Sequence, residues 1–205
     1  MPRLTNSLAV TFVSRSRALE KTRSKMETIL GAGHIGLADI EQVYVGLYLD
    51  IFTEFEATIE NLFLGLLTGS LYSRTYSIKR KAKIQPVSMT RQVIFMGRPY
   101  LDWLPYKDQT IPRARNYFDD GKPFTLLASS QESNLDDYCT IRNALAHKSD
   151  SARTKFQRLT SGLPLLPHEK SPAGYLRSRP YSTSKQTQYE IAVLELANIA
   201  NVLCS

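Results

Sequence analysis

Apolar side chains recur at every third or fourth position over much of the chain, a spacing typical of amphipathic α-helices. The longest such stretch is 40–67, where the rhythm continues for about eight turns. The same spacing predicts a helix over 6–30 and a last helix over 189–203. The long helix must pack against other helices, because an apolar face of that length is stable only when it is covered.

A further helix is predicted to begin near Ser133 and to lead up to His147. Ser133 followed by Asp136 resembles a capping box, and apolar residues from Leu135 to Leu145 form one face of the segment. The sequence therefore places a histidine at the end of an amphipathic helix.

Closely spaced prolines make residues 70–130 irregular and allow only short elements there. Within this region, 88–96 is compatible with either a helix or an extended segment. The stretch 110–120 predicts a short helix with Pro112 in its first turn and Gly121 past its end.

Residues 160–185 are rich in glycine, proline and serine and are predicted to form a long exposed loop. The sequence shows no internal repeat and no convincing alternating strand pattern. The predicted fold class is all-α: an up-and-down helical bundle of four to five main helices. Residues 1–205 are predicted to form one domain, with 70–130 as an irregular basic insertion within it.

The composition fits an ordinary globular protein, with 205 residues of which 42% are hydrophobic and 22% charged. The chain has only two cysteines, Cys139 and Cys204, too few for a disulfide-stapled secreted scaffold. No long uncharged apolar run and no signal-peptide pattern is present. We therefore expect a cytoplasmic protein with no membrane partner.

The net charge of +7 is distributed unevenly. Residues 38–67 contain six acids and no base, whereas residues 70–130 contain eleven bases and four acids, and 148–185 contain eight bases and two acids. This pattern has two interpretations of similar weight: a positive surface that binds a polyanion such as RNA, or solvated loops. The candidate RNA-binding residues are Lys79, Arg80, Lys81, Lys83, Arg113, Arg115 and Lys148.

Gly31, Gly33 and Gly36 match the G-x-G-x-x-G pattern of dinucleotide-binding folds. That turn must follow a buried parallel strand, but the preceding residues are polar and the next helix leaves no room for a second strand. We interpret these glycines as a connection between two helices.

The residues with the clearest chemical potential are Arg142, Asn143 and His147. Asn143 and His147 are four positions apart and share a helix face, which the long side chain of Arg142 can also reach. Histidine titrates near neutrality and arginine offers a fork of donors to phosphate. RNA supplies its own 2′-hydroxyl nucleophile, so its cleavage needs no metal or other cofactor, and the sequence has no zinc motif.

Structural roles for the same three residues remain open at this point. Arg142 can pair with an acid on another helix, Asn143 can satisfy backbone groups, and His147 can favour the negative end of its own helix. Spacing alone does not decide between these roles and catalysis.

The string Arg142-Asn143-Ala144-Leu145-Ala146-His147 resembles the R-N-x-x-x-H signature of the HEPN superfamily, whose helical domains are often metal-independent endoribonucleases. The long helix that contains Glu54 and Glu56 is similar to the family's second helix. The resemblance rests chiefly on residues 40–68 and 132–148, and the last helix fits it in outline.

The resemblance implies a homodimer whose two motifs face each other in one composite cleft. His147 would then act as general base or acid, Arg142 would neutralise the phosphorane, Asn143 would orient the reacting groups, and Glu54 or Glu56 would hold Arg142. It also implies 2′,3′-cyclic phosphate ends and a toxin or phage-defence role with an antitoxin or other regulatory protein. The alternative is a catalytically inactive HEPN domain that binds RNA, a nucleotide or a protein.

Two features depart from the family pattern. Ser149 stands where certain family toxins carry a tyrosine that an antitoxin modifies, so control by that modification is not expected. The 70–130 insertion is not part of the minimal bundle. Its Tyr100, Trp103, Tyr106 and Tyr117 either stack RNA bases between the basic residues or belong to the core.

Overall fold

The protein is described by a computed structural model that covers residues 2–82, 84, 86–181 and 183–205. These residues are mostly helical, which confirms the all-α class. Within the described ranges, no helix combines the length and the apolar character that crossing a membrane requires.

The described residues form eight α-helices, two short 3₁₀ helices and one pair of short strands. In chain order these are β1 (Arg3–Leu4), α1 (Asn6–Gly31), α2 (Leu37–Thr68), β2 (Leu71–Tyr72), α3 (Val87–Phe95), α4 (Tyr106–Tyr117), a 3₁₀ turn (Asp119–Gly121), α5 (Ser129–Ala146), α6 (Asp150–Leu159), a second 3₁₀ turn (Pro167–Glu169), α7 (Pro172–Arg177) and α8 (Gln188–Leu203).

The helices predicted from apolar spacing are present as α1, α2, α5 and α8. Gly31 is the last residue of α1, and Gly33 and Gly36 lie in the connection between α1 and α2. The Gly36 amide donates to Asp39 in the first turn of α2. Residues 88–96, which were compatible with either a helix or an extended segment, are helical, because α3 occupies nearly the same residues.

The helix predicted over 110–120 begins earlier than expected. α4 starts at Tyr106 and ends at Tyr117, so Pro112 lies in its interior rather than in its first turn. Tyr106, Thr110 and Ala114 form the buried face, whereas Pro112 is exposed. The proline therefore lies on the side of the helix that does not pack against the core.

The start of α5 also differs from the prediction. The helix begins at Ser129, four residues before Ser133, so Ser133 is not its cap. Instead the side-chain oxygen of Gln131 accepts a hydrogen bond from the Ala128 amide, 3.1 Å away. A glutamine therefore satisfies an amide at this helix start.

The prediction of a long exposed loop over 160–185 is wrong for its central part. α7 lies within it, and Ala173, Tyr175 and Leu176 are buried. Gly174 makes this packing possible, because a Cβ at that position would lie 2.0 Å from the His168 carbonyl oxygen. Composition alone predicted exposure, but one close backbone contact allows the segment to join a core.

The residues group into two compact units, each with its own core. Unit 1 comprises Met1–Val13, Glu54–Asp136 and Ala197–Ser205, and unit 2 comprises Ser14–Thr53 and Asp137–Leu196. Each unit therefore includes parts of α1, α2, α5 and α8.

The core of unit 1 is an aromatic cluster around Phe63, which is fully buried. Its ring lies 5.1 Å from Trp103, 5.1 Å from Phe118 and 5.5 Å from Phe124, measured between ring centres. The residues around the prolines of the insertion thus contribute directly to this core.

In unit 2, the rings of Tyr44 and Tyr189 pack edge to face at 5.5 Å, and Phe156 of α6 packs against Tyr175 of α7 at 5.7 Å. All of these residues are buried. The aromatic contacts fix α6 and α7 within unit 2.

Candidate functional site

Arg142 and Asn143 lie near the C-terminal end of α5, and His147 is the first residue after the helix. The His147 amide still donates to the Asn143 carbonyl at 2.9 Å. The backbone of His147 therefore continues the hydrogen-bonding pattern of α5, and its position is fixed relative to Arg142 and Asn143.

The side chains of Arg142 and Asn143 are joined directly. Arg142 Nη1 donates to Asn143 Oδ1 at 3.0 Å, and Asn143 Nδ2 donates to the buried Cys139 Sγ at 3.6 Å. Both side chains are half-buried. Asn143 therefore orients the arginine by a bond to its guanidinium group.

His147 is exposed, and no described side chain forms a hydrogen bond to its imidazole. Lys148 beside it is also exposed. Two residues on, Ser149 caps α6 by accepting a hydrogen bond from the Ala152 amide at 3.3 Å. The imidazole is accessible, while the chain is held by helical bonds on both sides of it.

A buried tyrosine fastens this end of α5 to α2 within unit 2. The Tyr48 hydroxyl donates to the Tyr138 carbonyl at 3.1 Å, and the Tyr48 side chain is fully buried. Burial raises the pKa of Tyr48 well above its ordinary value, so the phenol remains a proton donor. This contact supports the helical turn that precedes the motif.

Glu54 and Glu56 are half-buried residues of α2 and belong to unit 1, whereas Arg142 belongs to unit 2. The pairing of either glutamate with Arg142 stays a prediction.

Most of the candidate RNA-binding residues meet in unit 1. Lys79, Arg80 and Lys81 run antiparallel to the end of α4, with Arg80 opposite Phe118, and Lys81 Nζ donates to the Arg115 carbonyl at 2.7 Å. We call Lys79, Arg80, Lys81 and Arg115 the basic surface of unit 1. All four are exposed.

The three other candidates have different surroundings. Arg113 is half-buried over the Trp103 ring, 4.7 Å from its centre, and donates to the Asp102 carbonyl. Burial lowers its pKa, although the nearby Asp102 carboxylate opposes this shift. Lys148 is exposed in unit 2, and Lys83 lies outside the described residues.

The aromatic residues of the insertion belong mainly to the core. Trp103 and Tyr106 are buried, and Tyr117 is half-buried against Phe63. Of the four aromatic residues predicted to stack on bases or to join the core, only Tyr100 is well exposed, at 70%, and so available to stack on a ligand.

Sequence reasoning missed a polar network in unit 2. Glu27 of α1 accepts hydrogen bonds from the Tyr44 hydroxyl at 2.8 Å and from Arg177 Nε and Nη2 at 3.1 and 3.2 Å. Arg23, one turn earlier, donates to Tyr44 and to Glu190 of α8. The network joins four helices of unit 2.

The electrostatics of this network favour its ionised form. Burial by itself raises the pKa of Glu27, but the hydrogen bonds from Arg177 and Tyr44 outweigh it and the net shift is downward. Burial also raises the pKa of Tyr44 to about 12. The only sequence signal was the four-residue spacing of Arg23 and Glu27, since Arg177 is 150 positions away from Glu27.

No group of three or more His, Cys, Asp or Glu side chains within the described ranges is placed to hold a metal ion. No family model matches the chain, and comparison with curated proteins and with solved structures gives no significant match.

Proposed function

We propose that this protein is a HEPN-type, metal-independent endoribonuclease that uses Arg142, Asn143 and His147. The observation that carries the proposal is the arrangement at the end of α5, where an exposed imidazole follows a guanidinium that is held by a neighbouring amide. An accessible imidazole can exchange a proton with substrate, and an oriented arginine can bind phosphate oxygens.

The proposed reaction is transesterification by the RNA itself. His147 removes the proton of the 2′-hydroxyl, the 2′-oxygen bonds to phosphorus, and the bond from phosphorus to the 5′-oxygen breaks. Arg142 binds the phosphate oxygens on which negative charge builds up. The departing 5′-oxygen takes a proton from a second imidazole, leaving a 2′,3′-cyclic phosphate and a 5′-hydroxyl.

The second imidazole is the reason for proposing a homodimer. Each chain offers one motif, whereas the reaction needs one group to accept a proton and another to donate one. Two copies of His147 and Arg142 in one cleft supply both functions and double the positive charge. We further propose a cytoplasmic toxin or phage-defence effector that an antitoxin or other regulatory protein restrains.

The first experiment is cleavage of single-stranded RNA in the presence of EDTA. We expect His147→Ala to lower the rate by about 10²–10⁴-fold and Arg142→Ala by about 10²–10³-fold. His34→Ala is the matched control, because His34 is also exposed but lies between α1 and α2, outside the motif. Its rate should equal that of the wild type, and the products should carry cyclic-phosphate ends.

Heterodimers with one wild-type subunit test the shared cleft. A heterodimer of wild-type and His147→Ala subunits holds a single imidazole, so it should lose nearly all activity rather than half of it. Half of the wild-type activity in confirmed heterodimers would argue against a composite site. Cleavage that persists in both single variants would rule out the proposed chemistry.

The alternative is a HEPN-like domain that binds RNA, a nucleotide or a protein without catalysis. The basic surface of unit 1 favours RNA binding, because its four exposed cations are independent of the motif. A folded wild-type protein that binds RNA in a salt-dependent way, without cutting it, would support this function over the enzyme.

A further inference from the structure

Unit 1 contains a cavity of about 300 Å³ at the end of α2. Leu66, Leu71 and Ile78 provide apolar lining, and Tyr72 and Tyr76 add two aromatic side chains. Its volume is at the lower end of the range of about 300–1,000 Å³ for small-molecule sites. None of the residues that line it belongs to the Arg142–His147 motif.

The walls of the cavity are fixed by backbone bonds. β1 and β2 pair in parallel, with Arg3 opposite Leu71 and Leu4 opposite Tyr72. On another side Arg80 is held opposite Phe118, which packs on Phe63 in the core of unit 1. A cavity with anchored walls is formed before a ligand arrives, which lowers the entropic cost of binding.

Several polar groups at the cavity have no partner among the described residues. The hydroxyls of Tyr72, Tyr76 and Ser77 form no hydrogen bond there, whereas the Ser73 hydroxyl is occupied by the Tyr76 amide and the Ser205 carbonyl. These three hydroxyls are therefore available to a ligand.

Arg80 is the charged group of the cavity. Its Nη1 donates to the Leu67 carbonyl at 3.3 Å, and no other bond occupies the guanidinium within the described part of the chain. Gly69 permits this approach, because a Cβ there would lie 2.7 Å from Nη1. The remaining donors of the fork are free for an anion.

Four carbonyls in the last turn of α2 oppose an anion less strongly, because each of these four accepts a hydrogen bond from a group at the helix end. Those of Leu64 and Gly65 accept from the Thr68 hydroxyl, that of Leu66 from the Gly69 amide, and that of Leu67 from Arg80. Pairing of these oxygens reduces the negative potential that a helix end otherwise presents.

The charged residues in the stretch of sequence that supplies most of the cavity lining are all basic. Residues 61–101 contain seven Lys or Arg and no Asp or Glu. Arg80 lines the cavity, and Lys79, Lys81 and Arg115 continue its charge along the basic surface of unit 1. Cations at and beside a site attract anions, and charge that continues beyond the site suits a ligand that is part of a longer polyanion.

We propose that this cavity binds a single nucleotide, with its base against Tyr72 and Tyr76 and its phosphate on Arg80. Aromatic side chains next to an arginine are a general means of binding an unstacked base and its phosphate. The nucleotide is either a free mononucleotide or one unit of a single-stranded RNA. The proposal goes beyond RNA cleavage and does not depend on it.

The test is binding of AMP, UMP and a short 2′-O-methyl oligonucleotide to the full-length His147→Ala protein. These probes have no reactive 2′-hydroxyl or no internal link to cut, so loss of nuclease activity and loss of this site give separate results. We expect saturable binding that weakens at least about tenfold in Arg80→Met, which removes a charged hydrogen-bond donor. Ser77→Trp, which places a large side chain in the cavity, should weaken binding to a similar extent.

Arg74→Met is the matched control, because Arg74 is an exposed arginine of the same segment that does not line the cavity. Its affinity should stay within about twofold of the parent protein. Equal weakening by Arg74→Met and Arg80→Met would show diffuse charge attraction and overturn the proposal. Equal affinity for ribose 5-phosphate and AMP would also overturn it, because the base would then contribute nothing.

The three ligands also separate the two sources of the nucleotide. Tighter binding of the oligonucleotide than of AMP and UMP, with the same sensitivity to Arg80→Met, supports a unit of RNA as the ligand. The reverse order supports a free mononucleotide. A protein with native thermal stability that binds none of the probes would refute the site.

Discussion

The carboxylate of Glu27 offers the sharpest test of how the segment 160–185 is held. It connects α1 to Arg177 at the end of α7 and to Tyr44 of α2. The side chains of Glu27 and Arg177 are 29% and 22% exposed. The pair therefore lies between a surface ion pair, worth up to about 1 kcal/mol, and a buried pair whose disruption costs about 3–5 kcal/mol.

Because the pair is intermediate in exposure, we expect Glu27→Gln to reduce the free energy of unfolding by about 2 kcal/mol. The amide keeps one acceptor oxygen but loses the charge, so Arg177 is left partly buried without its counter-ion. With a typical urea dependence, this change moves the unfolding midpoint by about 1 M. Arg177→Met should destabilise to a similar extent, and the double variant should show coupling of about 1–2 kcal/mol.

Asp50→Asn provides the matched control. Asp50 pairs with Arg15 in the same unit, but these side chains are 37% and 44% exposed. Its loss should cost less than about 1 kcal/mol. The reasoning fails if Glu27→Gln costs no more than Asp50→Asn, or if the double variant shows no coupling.

The pH dependence of the same pair has a definite sign. The hydrogen bonds of Glu27 place its pKa in the folded chain below its usual value of 4.5, despite the opposing effect of burial. Its contribution to stability is therefore complete above that value and is lost as the pH falls through the lower, folded pKa. The stability difference between wild type and Glu27→Gln should accordingly shrink in acid and stay constant from pH 6 to pH 8, apart from groups common to both proteins.

Three further predictions concern packing. Gly174→Ala should destabilise the protein by more than about 2 kcal/mol, because its Cβ would meet the His168 carbonyl. Gly46→Ala within α2 is the control: its Cβ meets nothing within 4 Å, so it should stabilise the protein by up to about 1 kcal/mol. Thermal and urea unfolding would measure both changes. Phe63→Ala should lower the free energy of unfolding in urea by about 3–5 kcal/mol, because Phe63 is at the centre of the aromatic core of unit 1. Tyr181→Ala, at an exposed site, should lower it by less than about 1 kcal/mol. A loss below about 2 kcal/mol for Phe63→Ala would contradict this core. Burial raises the pKa of the Cys204 thiol to about 12, so its alkylation at pH 8 should be at least about a hundredfold slower in folded than in urea-unfolded protein; equal rates would contradict its burial.

The main helices could be predicted because their information is local. In α2 the buried residues Ile51, Phe55, Ile59 and Leu62 follow one another at three- and four-residue intervals. The R-N-x-x-x-H string could be placed at a helix end for the same reason. Its chemical role could not be settled in this way, because the spacing of three polar residues on a helix fits structural and catalytic roles equally well.

The missed features depend on tertiary contacts. Nothing near Pro112 in the sequence indicates that it would lie on the solvent side of α4, where an interior proline is tolerated. The burial of α7 depends on the absence of a Cβ at Gly174 and on an ion pair between positions 27 and 177. The cavity likewise combines Pro2 with residues 66–80, which only the pairing of β1 and β2 brings together.

The short connection between α5 and α6 has a consequence for any reaction at His147. Because the His147 amide is bonded to Asn143 and Ser149 already caps the next helix, the main chain has little conformational freedom to lose when a substrate arrives. Only the two side-chain torsions of the imidazole remain to be ordered. Fixing a backbone residue costs about 1–2 kcal/mol, so a histidine on a free loop would give up that much more of its interaction energy with the same ligand.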